Sequence, residues 1–442
     1  MTFTDLNLNA HLIKALDELG YTKPTTIQHK AYSVIMSGRD VCGIAQTGTG
    51  KTFAYTLPIL KLSTFSKDRY PQVLVLVPTR ELVVQVVEAI KSISKYMTLE
   101  VVGVYGGVNM KPQAMAVENG VDIIVGTPGR LMDLAYNGSL RLKSIKRLVI
   151  DEVDEMLNLG FRTQLNNILV LLPPKRQNLM FSATITGEVK ALIDTWFNAP
   201  ITIEAAPTGT PLDNIDQTAY NIPNFYSKVN LLKLLLHTHA EMTKVLVFVG
   251  TKKLADMVYN EVEPEFTGTV GVIHSNKDQN NRFNTVNQFQ AGNFRFIIAT
   301  DIIARGLDIA EVSHVINFDT PDVPENYIHR IGRTGRADRK GISITFITEK
   351  EKENQAAIEE LMHFKIPILE LPEALELSEV LTEDEKPKVR MKEIQIRLPK
   401  REESGPAFHQ KSLKNQKVNV KVKHSDKMKA KYGKPKKRPP KK

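Results

Sequence analysis

Cysteine is nearly absent: Cys42 is the one example in a chain of 442 residues. That excludes an internal disulfide and a cysteine-based zinc site, and it fits a reducing, cytoplasmic setting. Cys42 sits in an apolar run and reads as a small core residue. Tryptophan is as rare, with Trp196 alone, and aromatic residues make up 7% of the chain. No run of 18 apolar residues occurs, so no membrane span is expected. Residues 1–9 have neither the basic start nor the apolar stretch of a signal peptide. Acidic residues thin out towards the end. Residues 386–442 carry 21 Lys and Arg against 4 Asp and Glu, whereas residues 1–385 carry 38 against 45. A slightly acidic body with a basic tail suggests a polyanionic partner, most simply nucleic acid. A solubilising tail or a nuclear address would share that composition.

What is present centres on Ala45-Gln46-Thr47-Gly48-Thr49-Gly50-Lys51-Thr52, a phosphate loop of the form G-x-x-x-x-G-K-[ST] with Ala45 in the first glycine position. The apolar run 41–44 before it reads as a strand. Residues 53–62 after it read as a helix, with Pro58 as a kink or early stop. In that context backbone N–H groups turn inward around a polyphosphate, and the helix dipole adds to their attraction. Lys51 would hold the β and γ phosphates, and the Thr52 hydroxyl would hold Mg²⁺.

Residues 2–21 read as an amphipathic helix after a short lead, with Leu12, Ile13, Leu16 and Leu19 at helical spacing. Beyond the loop, apolar runs at 73–77, 101–104, 123–125, 148–150 and 179–181 alternate with helical stretches such as 79–96. Residues 205–214, rich in Pro, Gly and Thr, read as a linker. The alternation then restarts, with strands at 245–249, 270–273, 296–298, 315–318 and 342–347 and helices at 253–261 and 280–289. Such runs imply an α/β fold with parallel sheets covered on both faces, where ligands sit beyond the carboxyl ends of the strands. The expected domains are 1–204 and 215–372, joined by 205–214. Residues 373–442 lose the alternation and are expected to be a flexible, disordered tail. No short internal repeat is visible, and the residues do not show whether the halves are duplicated.

Two further segments carry chemistry. Asp151-Glu152-Val153-Asp154 follows a strand, where an NTPase places its second metal-holding group. Asp151 would hold Mg²⁺ through water, and Glu152 would orient or deprotonate the attacking water. Alone, the segment could equally be an acidic helix start suited to the dipole. Arg333 and Arg336, three apart and flanked by glycines, offer planar donors to phosphate oxygens, although a solvated basic loop would look the same.

Together these segments resemble the DEAD-box RNA helicases over residues 1–370, with Asp-Glu-Val-Asp where that family usually has Asp-Glu-Ala-Asp. Val153 adds bulk, expected beside the metal site. The resemblance implies two tandem RecA-like domains. It implies that Tyr21 stacks on adenine, that Gln28 bonds the adenine edge and that Phe3 is the upstream aromatic of the same motif; Thr26 departs from the proline common there. Residues 45–52 match the nucleotide loop, and Asp308 would contact the ribose. Pro78, Thr79 and Arg80, Gly106 and Gly107, and Thr127, Pro128, Gly129 and Arg130 match segments that hold the RNA backbone. Thr251, Gln279, Arg282 and Thr300 do so from the second half. Ser182 and Thr184, with Asp154, Arg305 and His329, match the groups that couple hydrolysis to unwinding. Arg333 and Arg336 match the arginine fingers. ATP and Mg²⁺ are then the cofactors. RNA, single-stranded or in short duplexes, is the partner, with ribosome precursors or RNA-decay assemblies as the setting. No membrane is involved and the protein is a monomer. The compact core resembles the bacterial RhlE-type branch. A relative acting on DNA and a non-unwinding RNA clamp remain as rivals.

Overall fold

Seven short, fully parallel strands build each of two sheets in the computed structural model, which describes residues 2–45, 49–63, 70–204, 214–301, 312–335, 340–386 and 423–433. The first sheet holds β1 (Val41–Ile44), β2 (Val73–Leu76), β3 (Val101–Val104), β4 (Ile123–Gly126), β5 (Arg147–Asp151), β6 (Gln177–Ser182) and β7 (Ile201–Glu204), in the order β3-β4-β2-β5-β6-β1-β7. Its strands β1 and β2 are apolar and buried throughout because helices cover both faces. Val73 and Val75 enter one core cluster, with Leu12, Ile27 and Phe181; Leu74 and Leu76 enter the other, with Cys42, Ile150 and Met180. The register aligns Ile44 with Ser182 and Asp151 with Phe181, so the loops after β1, β5 and β6 emerge side by side.

The second sheet holds β8 (Ile215–Asn221), β9 (Val245–Val249), β10 (Val270–Ile273), β11 (Phe296–Thr300), β12 (His314–Asn317), β13 (Gly341–Ile347) and β14 (Ile368–Leu369), in the order β10-β11-β9-β12-β13-β8-β14. This is the first order with every strand number raised by seven. The duplication that the residues do not display is thus plain in the topology, because a fold keeps burial and connection rather than identity.

Several expectations change. The N-terminal helix is two pieces, a 3-10 turn at Phe3–Leu6 and a helix at Ala10–Glu18. Asn7 in a left-handed conformation and Asn9 as a cap, accepting from the Leu12 amide, separate them. Pro58 neither stops nor splits the helix Lys51–Leu62, since Tyr55, Leu57, Ile59 and Leu60 anchor it in the core on both sides of the lost rung. The apolar runs missed β7, β8 and β14. β8 alternates buried with exposed positions, and β14 has two residues. The expected linker, apart from Asn214, lies outside the described residues.

The expected tail boundary at residue 373 also shifts. Residues 376–385 lie along the helix Phe225–Thr238. The Glu385 carboxylate accepts from the Phe225 amide at 2.6 Å, the Ser227 hydroxyl accepts from the Ser378 amide at 2.9 Å, and Asn230 donates to the Glu376 carbonyl at 2.8 Å. A helix start has amides without intrahelical partners, and this segment supplies acceptors. The first compact unit accordingly runs to Lys386. Within the remaining stretch, expected to be disordered, His424–Tyr432 forms a helix with every residue exposed.

Candidate active site

Gly50 sits at φ +88°, and a Cβ there would strike the Gln28 amide. Gln28 is buried. Its Nε2 donates to the Gly50 carbonyl at 3.2 Å and its Oε1 accepts from the Thr25 amide at 3.0 Å, so it ties the second helix to the phosphate loop. Lys51 opens the next helix. Its Nζ is buried and has no hydrogen-bond partner. An ammonium withheld from water without a partner is costly unless an anion arrives, so the loop fits a polyphosphate. The Ala45 amide donates to the Ser182 carbonyl at 2.9 Å. Tyr21 is 46% exposed, and the Phe53 ring meets it edge-on at 5.2 Å, leaving room for a planar ligand. Phe3 is packed in the core near Leu6 and Leu12. Gln46, Thr47 and Gly48 lie outside the described residues.

The carboxylates end β5. Glu152 takes φ +51° and ψ +50°, a left-handed conformation that side chains adopt at a cost and that recurs at functional sites. Asp151 accepts from the Glu152 amide on Oδ1 and from the Tyr55 hydroxyl on Oδ2, each at 3.0 Å. Burial raises the pKa of Asp151, with Lys51 opposing. Burial likewise pushes Glu152 up to about 7, against the pull of Lys51 and Arg333. Burial also works against the Asp154 charge, but His329, Lys51 and Thr184 outweigh it and hold that carboxyl below its usual range. Asp154 Oδ2 accepts from the Ala183 amide at 3.1 Å and from the Thr184 amide and hydroxyl at 3.0 Å each, and the Ser182 hydroxyl donates to the Thr184 carbonyl at 2.7 Å. Val153 does not crowd the metal-holding groups as expected. It points into the core with Leu74, Ile150 and Met156, where the helical turn after Glu152 directs it. Among the described residues no cluster of three or more His, Cys, Asp or Glu is placed to hold a metal. Mg²⁺ bound with substrate phosphates needs one or two carboxylates only, which Asp151 and the Thr52 hydroxyl fit.

The second sheet delivers its residues to the same place. His329 Nε2 lies 3.9 Å from Asp154 Oδ2. Arg333 is buried, and its charge acts on Glu152. Sequence reasoning passed over Arg330, which holds this region together. It is buried and clasps Asp301 at 2.5 and 2.8 Å while donating to the Asp319 carbonyl at 2.6 Å. The apolar and basic residues around it gave no hint that this arginine turns inward to a carboxylate. Arg305, Asp308 and Arg336 lie outside the described residues.

Gln279 and Arg282, expected against RNA, meet Glu81 of the first half. Arg282 Nη1 lies 2.9 Å and Gln279 Nε2 3.0 Å from Glu81 Oε1, with Arg282 and Glu81 both buried. They form a latch between the halves. Glu81→Gln leaves Arg282 with a neutral partner, and a charge-assisted bond is worth about 1.5–3 kcal/mol. The RNA concentration giving half-maximal ATP turnover should then rise about tenfold or more. An unchanged RNA titration would deny the latch a role.

The remaining expected RNA contacts follow the carboxyl ends of strands in both halves. Arg80 packs under Gly107, whose φ of +77° and lack of Cβ admit the guanidinium. Arg130 is turned inward, donating to Gln113 Oε1 and the Val108 carbonyl at 2.8 Å each. It braces the Gly106-Gly107 turn from beneath. Gln113, which also pairs with both backbone groups of Tyr105, lay outside the sequence motifs. Pro128 and Gly129 open the helix that Thr127 precedes. Thr79 and, in the second half, Thr251 cap equivalent helices, after β2 and β9. Thr300 ends β11 at the mouth of a cavity of about 630 Å³, lined also by Glu155, Asp301 and Asp319.

Residues 25–192 match the DEAD/DEAH box helicase family and residues 227–338 match the helicase conserved C-terminal domain. The RNA helicase CrhR of Synechocystis sp. is 38% identical over 371 residues, 84% of this chain and 75% of that protein. The ATP-dependent RNA helicase DbpA of Bacillus subtilis is 36% identical over 376 residues, 85% of this chain and 78% of that protein. Among solved structures, S. cerevisiae Dbp5 bound to RNA and ADP BeF3 superposes with a TM-score of 0.76 at 30% identity, covering 83% of this chain and 95% of that one.

Proposed function

Since the chain belongs to the DEAD-box family of ATP-dependent RNA helicases, we propose that ATP closes its two RecA-like halves around a single RNA strand, so that short duplexes are opened locally. One observation carries this reading: His329 of the second half reaches Asp154 of the first at 3.9 Å, beside the buried Glu152 carboxylate that Lys51 and Arg333 bear on from the two halves. Neither half alone holds the complete set. Lys51 and the loop amides bind the β and γ phosphates; Gln28 and Tyr21 select the base; Glu152 takes the proton of the attacking water; Arg333 and Arg336 receive the charge developing on the γ-phosphate. Thr52 and, through water, Asp151 would hold Mg²⁺, which would supply neutralising charge on the phosphates. Asp154 passes the state of the site to residues 182–184 through its three hydrogen bonds.

The RNA face supports backbone recognition with little base reading. The Dbp5 structure bound to RNA and ADP BeF3 supports both ligands. The basic stretch 386–442 adds salt-dependent affinity for phosphates. Ribosome precursors or RNA-decay assemblies are the setting we favour, with a monomer in the cytoplasm. The RhlE-type placement rests on the compact core, and relatives of similar identity span bacterial and yeast proteins. The test is the ATP turnover rate without nucleic acid, with single-stranded RNA and with single-stranded DNA of equal length. RNA alone should stimulate. Equal stimulation by DNA would replace this reading with a DNA-acting one.

A further inference from the structure

No motif includes position 55, yet the Tyr55 side chain reaches the centre of the site. It is 1% exposed, with its ring against Phe181 at 5.4 Å. Its hydroxyl donates to Asp151 Oδ2 at 3.0 Å, and it also hydrogen-bonds the Thr52 side chain. Thr52 and Asp151 are the two groups assigned to Mg²⁺ above. We propose that Tyr55 is a positioning residue for the metal seat, its phenol bridging the Thr52 hydroxyl to the Asp151 carboxylate and orienting both. The inference rests on the preceding assignment of those two residues.

The chain of donors has one direction. A carboxylate oxygen accepts, so the buried phenol is the donor to Asp151. Its oxygen is then open to the Thr52 hydroxyl proton, which leaves the Thr52 lone pairs available to a metal. Asp151 receives one bond on each oxygen, from the Glu152 amide and from Tyr55. A carboxylate pinned at both oxygens cannot swing about its last torsion. Outer partners of this kind commonly change metal affinity or activity about 10–100-fold when removed. Tyr55 stands on the helix that begins at Lys51, so the phosphate loop and the β5 carboxylate are fastened through one ring.

Tyr55→Phe removes a single oxygen and keeps the packing on Phe181. Affinity for a fluorescent ADP analogue is measured with and without Mg²⁺, alongside a Mg²⁺ titration of ATP turnover and the thermal unfolding midpoint. The metal-free affinity should match wild type. The gain from Mg²⁺ should shrink, and the half-saturating Mg²⁺ concentration should rise, by about tenfold. Wild-type Mg²⁺ dependence in the variant would overturn the role of Tyr55, as would an equal loss of affinity with and without metal, which marks a packing defect. If wild type itself showed no Mg²⁺-linked binding, the assignment of Thr52 and Asp151 would fall and this inference with it.

Discussion

Arg333→Ala should slow ATP turnover at saturating RNA by about 10³–10⁵-fold, the contribution typical of an arginine finger. Arg333 is 4% exposed, so its charge is weakly screened. It comes from the second sheet, follows the helix Pro324–Ile331, and acts on Glu152 of the first. Two consequences separate it from a merely structural arginine. ATP affinity without RNA should change little, because the contact is made in the closed, reacting state. Arg333→Lys should not rescue, since an ammonium lacks the planar fork that spans two phosphate oxygens. Removing the arginine also lets the Glu152 carboxyl climb further from its ordinary range, leaving less of it ionised to accept a proton at neutral pH. Single-turnover hydrolysis with bound RNA is the measurement. A rate within tenfold of wild type would remove Arg333 from the reaction.

Lys51→Ala should reduce kcat/KM for ATP by about 10²–10³-fold or more, the loss expected when a preorganised electrostatic partner is deleted from a buried site. Here nucleotide affinity falls too, which distinguishes Lys51 from Arg333. Its Nζ is buried without a hydrogen-bond partner, so no hydrogen bond is lost on truncation and the fold should persist. The thermal midpoint without nucleotide should change little, because the buried ammonium makes no hydrogen bond and the neighbouring carboxyls can take up protons when its charge has gone. Lys51 opposes the rise in pKa at both Asp151 and Glu152. Its loss therefore drives both carboxyls towards the protonated form, and the low-pH limb of turnover should move to higher pH. Equal turnover by wild type and variant would overturn the site. A variant that fails only by unfolding would show it in the thermal midpoint.

Sequence patterns located the chemistry better than its supports. The phosphate loop, the β5 carboxylates and the motif around Arg333 were legible because each needs particular residue types at fixed spacing along the backbone. Tyr55 and Arg330 were not, because their partners lie far away in the chain: Tyr55 is 96 residues from Asp151 and Arg330 is 29 from Asp301. Strands in the middle of a sheet were visible as continuous apolar runs, whereas β8, with its buried and exposed residues alternating, was not. Gln279 and Arg282 were recognised as a pair; only the meeting of the two halves brings them to Glu81.

What the sequence by itself determined is the class of fold and the kind of reaction, since apolar periodicity dictates layers and phosphate chemistry demands a short menu of residues in order. What only the tertiary structure decided is which of those residues meet. The duplicated sheet order, the turn of Val153 into the core and the docking of residues 376–385 on the second half all follow from burial and from hydrogen bonds between distant segments. Neither is written in local spacing, because the free energy that selects them belongs to contacts formed only once the chain has folded.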